Sequence, residues 1–116
     1  MTDVTIYHNP RCSKSRQTLA LLEEQGVSPS VVDYLKDTPT EKELSSIIKK
    51  LGISPESLIR KNEDEWKQHG SSLSNPSDAD LIALMVKYPK LIQRPIVVKG
   101  EKAALGRPPE DTLTIL

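Results

Sequence analysis

The chain has 116 residues, enough for one domain with its own core. Sixteen basic and sixteen acidic side chains cancel, and 36% of residues are hydrophobic. That composition is too apolar and too balanced in sign for disorder, and it lacks the basic excess of a protein that coats nucleic acid or a membrane surface. The one cysteine excludes an internal disulfide, a CxxC redox pair and a Cys-based zinc cage.

No apolar run approaches the ~20 residues of a membrane span, and MTDVTIYHNP lacks the basic and apolar regions of a secretory signal. A soluble cytoplasmic monomer is expected, with no nucleic-acid or membrane partner. Val4-Thr5-Ile6-Tyr7 alternates and is rich in β formers, so it reads as a first strand. His8 to Cys12 follows as a loop, with Asn9-Pro10 as its turn signal. Leu19, Leu21 and Leu22 with Ala20 give a helical stripe over residues 13–25, stopped by Gly26. Residues 30–34 read as a second strand.

Thr40 to Glu43 forms a capping box that opens a helix running to Leu51, and Gly52 closes it. Ser54-Pro55 starts a short helix. Residues 62–68 make a weaker polar helical stretch ending at His69-Gly70, and residues 62–76 read as a poorly ordered connection. Ser77 caps an amphipathic helix through Val86, ended by Pro89. A strand then enters through proline over Gln93 to Lys99, turns at Gly100-Glu101 and returns over Lys102 to Leu105. Gly106 to Pro109 is a rigid loop, and Glu110 to Leu116 reads as a terminal helix. The order is βαβ, a helical insert over residues 38–90, then ββα, all within one domain of residues 1–116. That is an α/β domain with a small mixed four-stranded sheet in the thioredoxin-like order.

Cys12 falls where the first loop meets the first helix. Unpaired amides at a helix start carry partial positive charge, stabilise a thiolate and can cradle an anion. Arg11, Arg16 and His8 lie close in sequence, and no Asp or Glu occurs from Val4 to Leu22. An activated thiolate beside an oxyanion site is the natural inference. A metal site is not expected from one Cys and two distant histidines.

Only five of the sixteen basic residues are Arg. Beyond the two flanking Cys12, Arg60, Arg94 and Arg107 remain, and two of these precede proline, which restricts their backbone to extended conformations. Each guanidinium offers a planar fork suited to phosphate-like oxyanions.

His8-Asn9-Pro10-Arg11-Cys12-Ser13-Lys14-Ser15-Arg16 resembles the HNPxCxxSR signature of the glutaredoxin-dependent arsenate reductases, and the likeness covers essentially the whole chain. The resemblance implies a thioredoxin-like fold with a large helical insert and Cys12 as the nucleophile toward arsenate. Arg60, Arg94 and Arg107 would bind the oxyanion. Asn9 and Ser15 would support the loop, His8 and Arg16 would help hold the thiolate, and Pro95 would be cis. No bound cofactor is implied; glutathione would be a co-substrate and glutaredoxin the redox partner. A one-thiol enzyme cannot regenerate itself by an internal disulfide, which also calls for an external thiol.

The CX5R loop of the phosphatase-like arsenate reductases is absent, since only three residues separate Cys12 from Arg16. Two alternatives stay open. One is a related thiol-dependent reductase with another substrate. The other is a redox-inert binding or regulatory protein of the Spx type, although Ser15 stands where those regulators carry a second cysteine.

Overall fold

Val4, Ile6 and His8 are buried along strand β1 (Val4–His8), and Thr5 and Tyr7 between them are half-buried, the alternation a pleated strand imposes. The computed structural model describes residues 3–70 and 73–116. Helix α1 (Ser13–Glu24) follows, then β2 (Ser30–Asp33), which pairs parallel to β1. A helical region follows, with α2 (Glu41–Leu51), α3 (Asp64–His69) and α4 (Asp78–Lys87), and then the hairpin β3 (Ile96–Lys99) and β4 (Lys102–Leu105). β3 runs antiparallel to both β1 and β4, so the sheet order is β2-β1-β3-β4. This mixed four-stranded sheet, wound βαβ and then as a hairpin followed by a 3-10 segment, is the thioredoxin-like fold.

The described chain separates into two units, one of residues up to Asp37 together with Arg94–Leu116, the other Thr38–Gln93. In the first, Val4, Ile6, Leu22 and Val97 form a buried cluster covered by Leu19, Val27 and Ile115. Full burial of an aliphatic side chain such as Ile6 or Leu22 contributes about 1.5–3 kcal/mol.

In the second unit the capping box forms as expected. Thr40 Oγ1 accepts from the Glu43 amide and Glu43 Oε1 from the Thr40 amide, both at 3.1 Å. Leu44, Ile47 and Ile48 of α2 and Leu81, Ile82 and Met85 of α4 are buried, and the two helices pack together. Segments 58–60 and 91–93 are joined by an Ile59–Ile92 bridge, with Arg60 N–H donating to the Leu91 carbonyl at 2.7 Å and Gln93 N–H to that of Leu58 at 2.9 Å.

Three expectations are corrected. The helix expected at Ser54-Pro55 is one 3-10 turn (Pro55–Leu58), because Ile59 turns extended to pair with Ile92. The terminal segment is 3-10 rather than α (Pro109–Ile115): it enters through two prolines, and the Thr112 and Thr114 hydroxyls donate to carbonyls three residues back. β3 starts at Ile96, since Pro95 has no N–H to give the ladder.

Within residues 62–76, α3 forms as read and packs through aromatics. His69 stacks on Tyr88 with centroids 4.6 Å apart, and the Trp66 ring covers Gly70 so closely that a Cβ there would overlap it. Ser71 and Ser72 lie outside the described residues.

Candidate active site

Between β1 and α1 the chain turns on its own hydrogen bonds. Cys12 N–H donates to the Asn9 carbonyl at 3.0 Å, and Asn9 Oδ1 accepts from the Arg11 amide at 3.0 Å. Asn9 N–H reaches Ser15 Oγ at 3.3 Å, and Arg16 Nη1 donates to the Pro10 carbonyl at 2.9 Å. Asn9 and Ser15 are both buried. Four contacts thus fix a loop that proline already stiffens.

They leave Cys12 as the N-cap of α1, half-buried, with extended backbone and its carbonyl accepting from Arg16 N–H. Burial alone would raise its thiol pKa. The nearby Ser15 amide, the Arg94 side chain, the Lys14 amide and the Arg94 charge favour the thiolate and bring the thiol below its ordinary value.

Arg94 comes from the segment entering β3. Its Nε is buried without an acceptor, and its carbonyl accepts from Arg107 Nε at 2.8 Å. The Arg94–Pro95 peptide is cis, and so is Arg107–Pro108. Gly106 lets these segments close up: its N–H donates to the Pro95 carbonyl at 2.9 Å, and a Cβ there would strike Thr18 Oγ1 of α1 and lie 2.6 Å from Pro95 Cγ. The helix that begins at Cys12 and the segments that carry Arg94 and Arg107 are therefore in direct contact.

His8 is buried at the end of β1, opposite Asp33 in the strand register, and its Nδ1 has no partner among the described residues. Burial lowers its pKa, the Asp33 charge opposes that and the Arg16 charge adds to it, with a net lowering. The lowering favours the neutral imidazole. The positive charge felt by Cys12 is that of Arg94, while Arg16 holds the Pro10 carbonyl.

Arg60 belongs to the second unit and stands 2.9 Å from Glu63 there. Sequence reasoning missed Glu63, the Lys14 amide and the role of Gly106. The three-residue spacing of Arg60 and Glu63 was the one signal available. Among the described residues no group of three or more His, Cys, Asp and Glu side chains is placed to hold a metal ion, and no helix is long and apolar enough to cross a membrane.

Residues 7–115 match the model of the ArsC family. The chain belongs to that family. It is 50% identical over 114 residues to the uncharacterized protein YfgD of Escherichia coli (strain K12), covering 97% of this chain and 96% of that one. It is 46% identical over 114 residues to a Haemophilus influenzae protein named arsenate reductase, with 97% and 98% covered. A solved structure described as an arsenate reductase from Vibrio cholerae superposes with a TM-score of 0.95 at 47% identity, covering 99% of this chain and 98% of the other. The ArsC fold is thus shared along nearly the whole length.

Proposed function

We propose that this ArsC-family protein reduces arsenate to arsenite, with Cys12 as nucleophile and with glutathione and glutaredoxin supplying the electrons. The observation that carries the reading is the placement of Cys12 as the N-cap of α1, on the helix that touches the segments bearing Arg94 and Arg107; the Arg94 charge favours its thiolate. The relatives named arsenate reductase support the substrate. Arg94 and Arg107 are assigned to the oxyanion, and Arg60 joins them from the resemblance. The buried, unpartnered Arg94 Nε suits that assignment, because an oxyanion would supply the acceptor it lacks.

The thiolate attacks arsenic, and an As–S bond forms as one arsenate oxygen leaves as water. Arginine forks balance the charge on the remaining oxygens. Glutathione forms a second As–S bond as a second oxygen leaves as water, completing a mixed thiol–arsenic adduct. A glutaredoxin thiolate then takes the glutathione sulfur as a mixed disulfide. The electron pair of the broken S–As bond stays on arsenic and takes As(V) to As(III), and water cleaves the Cys12–As bond to free arsenite and the Cys12 thiol. Asn9 and Ser15 hold the loop, the burial of His8 beside it favours a neutral imidazole, and Arg16 ties Pro10. Phosphate is nearly the same size and charge but does not accept two electrons, so it binds without turnover. We take the protein to act as a monomer in the cytoplasm, where reduced thiols persist, with the second unit as an insert in one ArsC domain.

Arsenate-dependent NADPH oxidation with glutathione, glutaredoxin and glutathione reductase tests the reading beside Cys12→Ser. Turnover that is lost in the variant is the expected result. A folded wild type that oxidises no NADPH while Cys12 still alkylates fast would discard arsenate and keep the activated thiol.

A further inference from the structure

The second unit fixes the Arg60 backbone through the Leu91 carbonyl and leaves its guanidinium facing a carboxylate. Arg60 Nη1 lies 2.9 Å from Glu63 Oε1, and the two side chains are only 26% and 28% exposed. The approach is close but misdirected: Nη1 is buried and has no acceptor in hydrogen-bond geometry. Glu63 is the N-cap of α3, yet its side chain makes no capping bond. The backbone holds its place, with its N–H donating to the Arg60 carbonyl at 3.2 Å and its own carbonyl accepting from Trp66 N–H at 3.1 Å. The carboxylate is therefore tethered at fixed reach from Arg60 without being needed to start the helix.

We propose that Glu63 is a tethered competitor for the oxyanion at Arg60. In the free protein its carboxylate compensates a half-buried cation that would otherwise lack a counter-ion. A tetrahedral dianion brings more charge and oxygens in more directions, so it gives Nη1 the directed acceptor that Glu63 does not, and it displaces the carboxylate on binding. Separating the pair weakens binding of every oxyanion and leaves the later chemistry unchanged. Glu63 then sets the anion concentration at which Arg60 becomes occupied. The inference rests on the reading of Arg60 as an oxyanion ligand.

Two measurements on the full chain test it: calorimetric binding of inorganic phosphate, and the KM and kcat for arsenate. They are made on wild type, Glu63→Gln, Arg60→Ala and the double variant. Glu56→Gln serves as a charge control, since Glu56 pairs with Lys61 at 2.7 Å and its loss removes the same charge nearby. Glu63→Gln is expected to tighten phosphate and lower the arsenate KM by about two- to fivefold with kcat unchanged. Glu56→Gln is expected to change neither, and the gain is expected to vanish when Arg60 is Ala.

A Glu63→Gln protein that binds like wild type, while Arg60→Ala binds more weakly, overturns the competitor and keeps Arg60 as a ligand. A gain that persists without Arg60, or that Glu56→Gln matches, reduces the effect to a general field and overturns the proposal. If Arg60→Ala binds phosphate and turns over arsenate like wild type, the Arg60 assignment falls and the competitor falls with it.

Discussion

In the first unit Arg107 donates Nε to the carbonyl of Arg94 at 2.8 Å, whereas in the second Arg60 faces the Glu63 carboxylate at 2.9 Å. Both arrangements restrain a guanidinium, but they differ in what they do to its charge. A carbonyl is a neutral dipole, so it orients Arg107 and leaves the full positive charge for another anion. A carboxylate orients Arg60 and cancels that charge in the same contact. Neither Arg94 nor Arg107 is ion-paired among the described residues, and the Arg94 charge is felt at the Cys12 sulfur. Two guanidiniums thus keep their charge available for an anion, while that of Arg60 is already compensated by Glu63.

The largest expected effect tests what the first unit is ready for. Cys12→Ser should reduce arsenate-dependent turnover to background while its thermal melting stays close to wild type, because the hydroxyl occupies the same space without the nucleophilicity. Measurable turnover in that variant would remove the thiolate mechanism.

Next is Arg94, the arginine whose charge is uncancelled. Arg94→Ala should raise the arsenate KM about tenfold or more, the scale of a lost charge-assisted hydrogen bond. It should also move the pH midpoint of Cys12 alkylation upward. Arg94→Lys should recover part of the midpoint but not the KM, since it returns charge without the fork. The sign carries over to stability. A native thiol that titrates below the unfolded one contributes stability fully present above the unfolded value of ~8.5 and lost as pH falls through the lowered native value. Urea titrations across that range should show the gain shrinking in Arg94→Ala.

Gly106→Ala is expected to cost about 1–3 kcal/mol in urea unfolding, because its methyl group overlaps Thr18 and Pro95. It should also slow Cys12 alkylation, since those contacts join α1 to the arginine segments. The smallest effect lies in the second unit. Thr40→Ala removes one cap and should cost about 1 kcal/mol without changing the alkylation rate. A slower Cys12 in that variant would break the division of labour between the units.

Features that depend on neighbours in sequence were legible in advance. Asn9-Pro10 ahead of an apolar helical stripe placed Cys12 at a helix start, and Thr40 with Glu43 announced its own capping box. Pro95 before β3 and Pro108-Pro109 after β4 marked the rigid ends of the hairpin. What escaped reading depends on chain segments that meet only on folding. The Arg94 side chain reaches Cys12 from the other end of the chain, and Gly106 is glycine because Thr18 and Pro95 crowd it. The 3-10 form of the terminal segment turns on hydroxyl bonds that compete with an α-helix, which apolar periodicity does not register. The Arg60–Glu63 pair lay in plain view as a three-residue spacing, yet only the turn between them brings carboxylate and guanidinium together.

The most direct test of an activated thiolate beside an oxyanion site is the rate of Cys12 alkylation by iodoacetamide against pH, with and without inorganic phosphate. The account predicts a midpoint below the ordinary thiol value and a rate that falls as phosphate fills the site. A midpoint at the ordinary value, with no protection by phosphate, would contradict it.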